Sequence, residues 1–219
     1  MNLKFFEKWS AEMAYVLGFF AADGSMSYDP RGAYYLSFYS NDKEILEKIR
    51  SVLSSEHKIS KRSFNSSFPN PAYRIQIGSK KIYFDLLRLG MTRNKSKSLK
   101  FPDVPTSFLR DFVRGYFDGD GNILSKRYFR KDRNKYKDYF ATKFISGSCR
   151  FLQVLRKKLV CHAGIGKGSF FEGTRSFVLS FAMKDSKRLC AFMYDNIENE
   201  LYLDRKYHVY KSAIDNTER

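Results

Sequence analysis

The feature that most constrains this chain is a nine-residue stretch that it carries twice. The first copy runs from Val16 to Gly24 (VLGFFAADG), the second from Val113 to Gly121 (VRGYFDGDG). Each is an apolar helical run closing on Asp-Gly, and Gly18 and Gly115 are separated by the same 97 positions as Asp23 and Asp120. A repeated unit implies two similar halves. Positions four apart share a helix face, so Ala14, Gly18 and Ala22 form one row, and Asp111, Gly115 and Gly119 its counterpart. Small residues at that spacing let two helix backbones approach closely. Glycine inside a helix costs roughly 0.5–1 kcal/mol relative to alanine, which close contact between the copies would offset. Ala14, Gly18 and Gly115 are therefore expected at a helix–helix interface. Gly24 and Gly121 are expected to end the helices as left-handed caps.

Parallel packing of the two helices would bring Asp23 and Asp120 side by side. Each carboxylate would then sit at the negative end of its helix dipole and face a like charge. A divalent cation relieves both penalties, and hard oxygen ligands suit Mg²⁺. The pattern predicts a metal site astride a pseudo-twofold axis.

The two nonapeptides resemble the motif of the LAGLIDADG homing endonucleases, specifically the single-chain, two-motif, pseudo-symmetric type. The second copy is the closer match. The first carries Ala21 where the family often has an acid, though not the metal-binding one. The resemblance implies a monomeric, Mg²⁺-dependent, site-specific endonuclease that cuts both strands of a long asymmetric DNA target, with Ca²⁺ or Mn²⁺ able to substitute in vitro. It further implies 3′-overhang breaks with 5′-phosphates. By this resemblance Asp23 and Asp120 bind the ions, assisted by the backbone carbonyls of Ala22 and Gly119. Each half also brings a catalytic lysine: Lys95 in the first, with Lys97 as a competitor, and Lys206 in the second. Ser40 and Ser146, at equivalent strand ends, are candidate supporting groups. Two alternatives share the scaffold: an RNA maturase assisting group I intron splicing, and a catalytically silent DNA-binding regulator. Both motif acids are retained, which tilts against each.

Composition agrees with a nucleic-acid partner. The net charge is +17, the pI about 9.7 and the aromatic content 17%, a balance suited to a polyanion. Cys149, Cys161 and Cys190 form no CxxC pair and are odd in number, so they read as reduced, mostly buried thiols of an intracellular protein. Cys161-His162 lacks zinc-ligand spacing. No 18-residue apolar run and no signal-peptide core occur, which predicts a soluble cytoplasmic or organellar protein. An intein origin is not expected, because the sequence leaves no room for a splicing domain.

Periodicity predicts an α+β fold with two αββαββα halves and antiparallel sheets flanked by helices; the resemblance implies that these sheets form a DNA-binding saddle around the central helices. The halves span residues 1–90 and 107–219, joined by a basic, proline-containing link over 91–106. Ser10 is the expected cap of the first motif helix, Thr106 or Ser107 of the second, and Asn41 or Asp42 of a helix through Leu53. Strands are read over 33–40, 56–63, 73–77, 164–171 and 174–181, with a long basic hairpin over 123–145; Asn65–Pro71 reads as a loop. Strand alternation turns Tyr35, Ser37, Tyr39, Lys58, Ser60, Arg62, Arg74 and Gln76 outward in the first half. In the second it turns out Lys143, Lys167, Ser176 and Ser180, with Lys126, Arg127 and Arg130 near the hairpin tip. These side chains include the types that read base edges and phosphates in a groove that admits a β-ribbon.

Overall fold

The computed structural model describes residues 1–62 and 72–215. Helix α1 (Ala11–Asp23) begins at Ser10, whose Oγ accepts the Met13 N–H at 3.1 Å. Every residue from Met13 to Ala21 is buried, as an all-round apolar helix requires. Its partner α4 (Leu109–Asp120) buries Leu109 and every residue from Asp111 to Asp118. The two helices pack against each other at the centre of the molecule.

Each central helix runs directly into a four-stranded antiparallel sheet. In the first half β1 (Gly24–Tyr28), β2 (Tyr34–Ser40), β3 (Ile59–Arg62) and β4 (Ala72–Gly78) lie in the order β1-β2-β4-β3. In the second half β5 (Gly121–Arg130), β6 (Lys135–Ser146), β7 (Ser169–Glu172) and β8 (Phe177–Ala182) repeat it as β5-β6-β8-β7. Helices α2 (Lys43–Val52) and α3 (Lys80–Arg88) pack on the first sheet, α5 (Cys149–His162) and α6 (Met183–Tyr194) on the second. One face of each sheet is thus turned to the core, as the alternation of Leu36 and Phe38, Ile75 and Ile77, and Leu179 and Phe181 requires. The core repeats too. Phe20 meets Phe38 edge-on at 5.1 Å, and the corresponding Phe117 and Phe144 meet edge-on at 5.2 Å. The fold is α+β with two like-ordered halves, as the repeat predicts.

Several local expectations are corrected. Gly24 and Gly121 are not left-handed caps: their φ values are −95° and −88°, and each opens a strand. Glycine is needed there for room, since a Cβ would lie 2.5 Å from Phe20 Cγ at the first site and 2.7 Å from Phe117 Cγ at the second. Neither Thr106 nor Ser107 caps α4; residues 106–108 form a single 3₁₀ turn that leads into it. Asp42 occupies the N-cap of α2 without bonding its first turn, because its carboxylate is engaged by Arg205. The second half carries an additional helix, α7 (Asp204–Asp215), packed on β5 and α6. Of the cysteines, all unpaired, only Cys190 is buried. No helix among the described residues is long and apolar enough to cross a membrane. The loop reading for Asn65–Pro71 falls outside the described residues.

Candidate active site

The glycines set the spacing of the central helices. A Cβ on Gly18 would fall 2.9 Å from Tyr116 N and closer still to Phe112 O; one on Gly115 would fall 2.9 Å from Tyr15 C and closer still to Tyr15 O. Each glycine therefore receives the backbone of the other helix one turn before that helix's own glycine. This reciprocity is what a twofold relation produces. Ala14, in the same row, is fully buried.

The same register carries the helix ends together. A Cβ on Gly119 would lie 2.5 Å from Ala22 Cβ and 3.3 Å from Asp23 Oδ2, so the Asp23 carboxylate rests against the end of the opposite helix. Burial, followed by the charge of Asp120, pushes the Asp23 carboxyl up to about 7 against the pull of Lys206 and Lys95. Burial likewise raises Asp120, again opposed by both lysines. Neither carboxylate accepts a hydrogen bond among the described residues. Two half-buried acids without donors, at helix ends whose last carbonyls lack intrahelical partners, form an all-oxygen donor set of the kind hard cations take. No group of three or more His, Cys, Asp or Glu suited to a metal exists among the described residues. Further ligands would have to be backbone oxygens, water or phosphate.

Lys95 and Lys206 occupy matching places. Lys95 is 6% and Lys206 2% exposed, which sets both apart from the solvated Lys97. The Lys95 ammonium donates to Gly24 O and lies 5.4 Å from the Phe20 ring centre. The Lys206 ammonium donates to Gly121 O at 2.6 Å and Asp118 O at 2.9 Å, and lies 5.0 Å from the Phe117 ring centre. Burial, opposed by the nearby acids, lowers each ammonium to about 8. Two cations and two carboxylates thus share one partly desolvated cleft.

Sequence reasoning missed what holds this cleft. Asp118, the acid that Ala21 lacks, is fully enclosed and accepts Tyr15 Oη at 2.8 Å, Tyr194 Oη at 2.7 Å and the Leu203 N–H at 2.9 Å. Arg114 is entirely buried; it donates to Leu201 O at 2.9 Å and Met193 O at 3.0 Å, and pairs with Asp111 at 2.8 Å. Together they fasten the segment that delivers Lys206. A charged residue inside an apolar helical motif was the available signal. Ser40 and Ser146 each accept the N–H two residues on, at 3.0 and 3.1 Å, and shape the turn into the next helix.

The outer sheet faces carry most of the remaining candidates. In the first half, register joins Ser37 to Gln76, Tyr39 to Arg74 and Arg74 to Ser60. Arg74 also donates to Gln76 at 2.9 Å. Tyr35 lies in β2, Lys58 is exposed just before β3, and Arg62 closes that strand opposite Ala72. In the second half Lys143 pairs with Ser180. Lys58, Lys167 and Ser176 correct the strand reading: all three precede their strands, Lys167 beside Gln153, Arg156 and Lys157 of α5, and Ser176 in a turn closed by Gly173. Beyond Ala141 the β5–β6 ribbon has no third strand among the described residues. Alternation places Lys126 and Arg130 on its Lys143 side, whereas Arg127 lies on the other, near Asp138 and Tyr136. One row was not anticipated. Ile145, Val178 and Phe171 adjoin across three strands where the first half has Tyr39, Arg74 and Ser60, and Phe171 is 53% exposed.

Residues 10–89 match the LAGLIDADG-like domain family. A 121-residue stretch, 55% of the chain, is 29% identical to the RNA polymerase subunit Rpo1C of Methanocaldococcus jannaschii, of which it spans only 14%. Among solved structures, the LAGLIDADG homing endonuclease I-LtrWI bound to target DNA superposes with a TM-score of 0.60 at 14% identity, covering 99% of this chain and 92% of that one. I-SmaMI bound to cleaved DNA gives 0.61 at 13% identity, covering 95% and 88%. I-SmaMI on uncleaved target with calcium ions gives 0.60 at 13%, covering 96% and 93%. The family match thus falls on the first half of this chain, and the whole chain has the fold of these LAGLIDADG homing endonucleases.

Proposed function

We propose that this protein is a monomeric, site-specific DNA endonuclease that cuts both strands of a long asymmetric target with a divalent cation, Mg²⁺ in its natural setting. The observation that carries this reading is the pair Asp23 and Asp120: half-buried, mutually repelling, without hydrogen-bond donors among the described residues, and flanked by two buried lysines. Asp23 and Asp120, with the backbone oxygens of Ala22 and Gly119, would hold the cation. When bound, such an ion lowers the pKa of water and neutralises charge on phosphate oxygens. The chain's own contribution is arrangement. The glycine contact fixes the separation of the two acids, and the apolar walls of Phe20 and Phe117 limit water. Lys95 and Lys206 present ammonium groups near neutrality, able to stabilise developing phosphorane charge or exchange a proton with a neighbouring water.

Two sheets with unlike outer faces suit two unlike half-sites, and the +17 charge supplies phosphate attraction that weakens with salt. The working division is a first half over 1–90, a link over 91–106 and a second half over 107–219, acting in an intracellular compartment that holds DNA. Retention of both acids favours a nuclease over a maturase or a silent regulator. A cleavage selection from a randomised DNA library with Mg²⁺ tests the reading. Enrichment of one cut sequence by the wild type, lost in the Asp23→Asn/Asp120→Asn double variant, is the expected result. Undiminished cutting by that variant, or none by the wild type, refutes it.

A further inference from the structure

We infer that the segment carrying each pocket's lysine, besides its contacts within its own half, is latched by the opposite half of the molecule, through two latches at matching positions. This inference rests on the nuclease reading for its consequence, and on geometry alone for its existence.

Lys206 lies in the first turn of α7, and the residues just before it are gripped by α2 of the first half. Lys48 Nζ reaches Asp204 Oδ1 at 2.6 Å and Tyr202 O at 3.2 Å, and lies 4.5 Å from the Tyr202 ring centre. Asp42 at the α2 N-cap accepts Arg205 Nε at 3.0 Å. The Lys95 segment is gripped from the other direction. Ser148, the N-cap of α5, donates its hydroxyl to Leu99 O at 2.7 Å. A Cβ on Gly147 would lie 3.0 Å from Ser96 C and closer still to Ser96 O. Asp42 and Ser148 are equivalent residues, each following the strand-end serine by two positions. The turn that enters the helix after β2 or β6 therefore closes on the lysine segment of the other half.

The two latches differ chemically. The Lys206 latch consists of ion pairs at partly exposed side chains, with Lys48 also pairing Glu44 at 2.7 Å. The Lys95 latch is a buried hydroxyl bond and a backbone contact that only glycine admits. Lys48, Asp42, Gly147 and Ser148 are positioning residues. None needs to touch DNA.

Because each latch serves one lysine, its loss should slow one strand. Supercoiled plasmid bearing the selected target, incubated with Lys48→Met, should accumulate nicked circle with one strand cut about 10- to 100-fold more slowly, since a misplacement of about 1 Å in a catalytic group can cost on the order of a hundredfold. Lys48→Arg should restore balanced cutting. Gly147→Ala should leave the opposite strand intact, as read by end-labelled strands on a denaturing gel. Equal slowing of both strands, or the same strand affected by both variants, overturns the inference. Reductive methylation supplies a readout independent of cleavage. Lys206 should react faster in Lys48→Met than in the wild type by peptide mass spectrometry, with Lys95 unchanged. Unaltered Lys206 reactivity overturns the latch even if no DNA is ever cut, whereas a wild type that never cuts refutes only the nuclease reading.

Discussion

Replacing Asp23 by asparagine should make the metal-free protein more stable, not less. In the folded protein burial and Asp120 hold the Asp23 carboxyl at about 7, against an ordinary value of 3.8. The native state therefore binds more protons than the unfolded chain between these values, and its stability falls as pH climbs from about 4 to about 7. A shift of three pH units corresponds to about 4 kcal/mol at most, at roughly 1.4 kcal/mol per unit. Asp23 keeps some contact with solvent, so about half of this, ~2 kcal/mol, is the realistic share. For a chain of this size that is a rise of about 4–8 °C in melting temperature at pH 7.5. The assay is thermal unfolding in EDTA across pH 4.5–8, repeated with Ca²⁺ or Mg²⁺. The wild type should lose stability with rising pH in EDTA and regain it with the cation, because a ligand bound only by the native state stabilises it. Asp23→Asn should flatten the pH dependence and respond little to the cation. An Asp23→Asn protein no more stable than the wild type at pH 7.5 in EDTA would show that the acids are not held in mutual repulsion.

Gly18→Ala and Gly115→Ala each force a Cβ against the facing backbone, and each should cost about 2–3 kcal/mol in urea unfolding, the range of overpacked cores; a change under about 0.5 kcal/mol would mean that the helices part freely. Asp118→Ala leaves Tyr15, Tyr194 and the Leu203 N–H without their acceptor and should destabilise by roughly 2–4 kcal/mol on the same measurement, while Ala21→Asp gains nothing. The apolar row Ile145–Val178–Phe171 is suited to thymine methyl groups. Exchanging thymine for deoxyuracil in the half-site under β6–β8 should therefore weaken binding about fourfold per contacted methyl, with no such effect in the other half-site, as read by fluorescence anisotropy.

The duplicated nonapeptide made the centre of the molecule legible, because its glycines and acids are specified by sequence-local rules: spacing on a helix face and charge at a helix end. Strand alternation was legible for the same reason, and it placed Tyr39, Arg74, Gln76, Lys143 and Ser180 on outer faces. Gly24 and Gly121 were misread because the demand on them comes from the Phe20 and Phe117 rings folding back, not from their own backbone angles. Asp42 was read as a cap by local preference, whereas a partner 163 residues away claims its carboxylate. Arg114 and Asp118 were passed over inside the motif since nothing local announces that residues 193–203 will wrap around them. Lys58, Lys167 and Ser176 were placed inside strands that begin just after them, because strand ends are set by where hydrogen-bonding partners stop. Apart from the two glycines, whose constraint lies four residues back, what remained hidden was long-range.

The order in which the parts of the two pockets occur along the chain has a consequence for partial synthesis. A nascent chain that has emerged through residue 200 already carries both aspartates and Lys95, yet lacks Lys206 and everything that α2 must grip. Such a fragment has one furnished pocket and one bare one. On the proposed endonuclease function, such a fragment would cut at most one strand, and cutting of both would await α7.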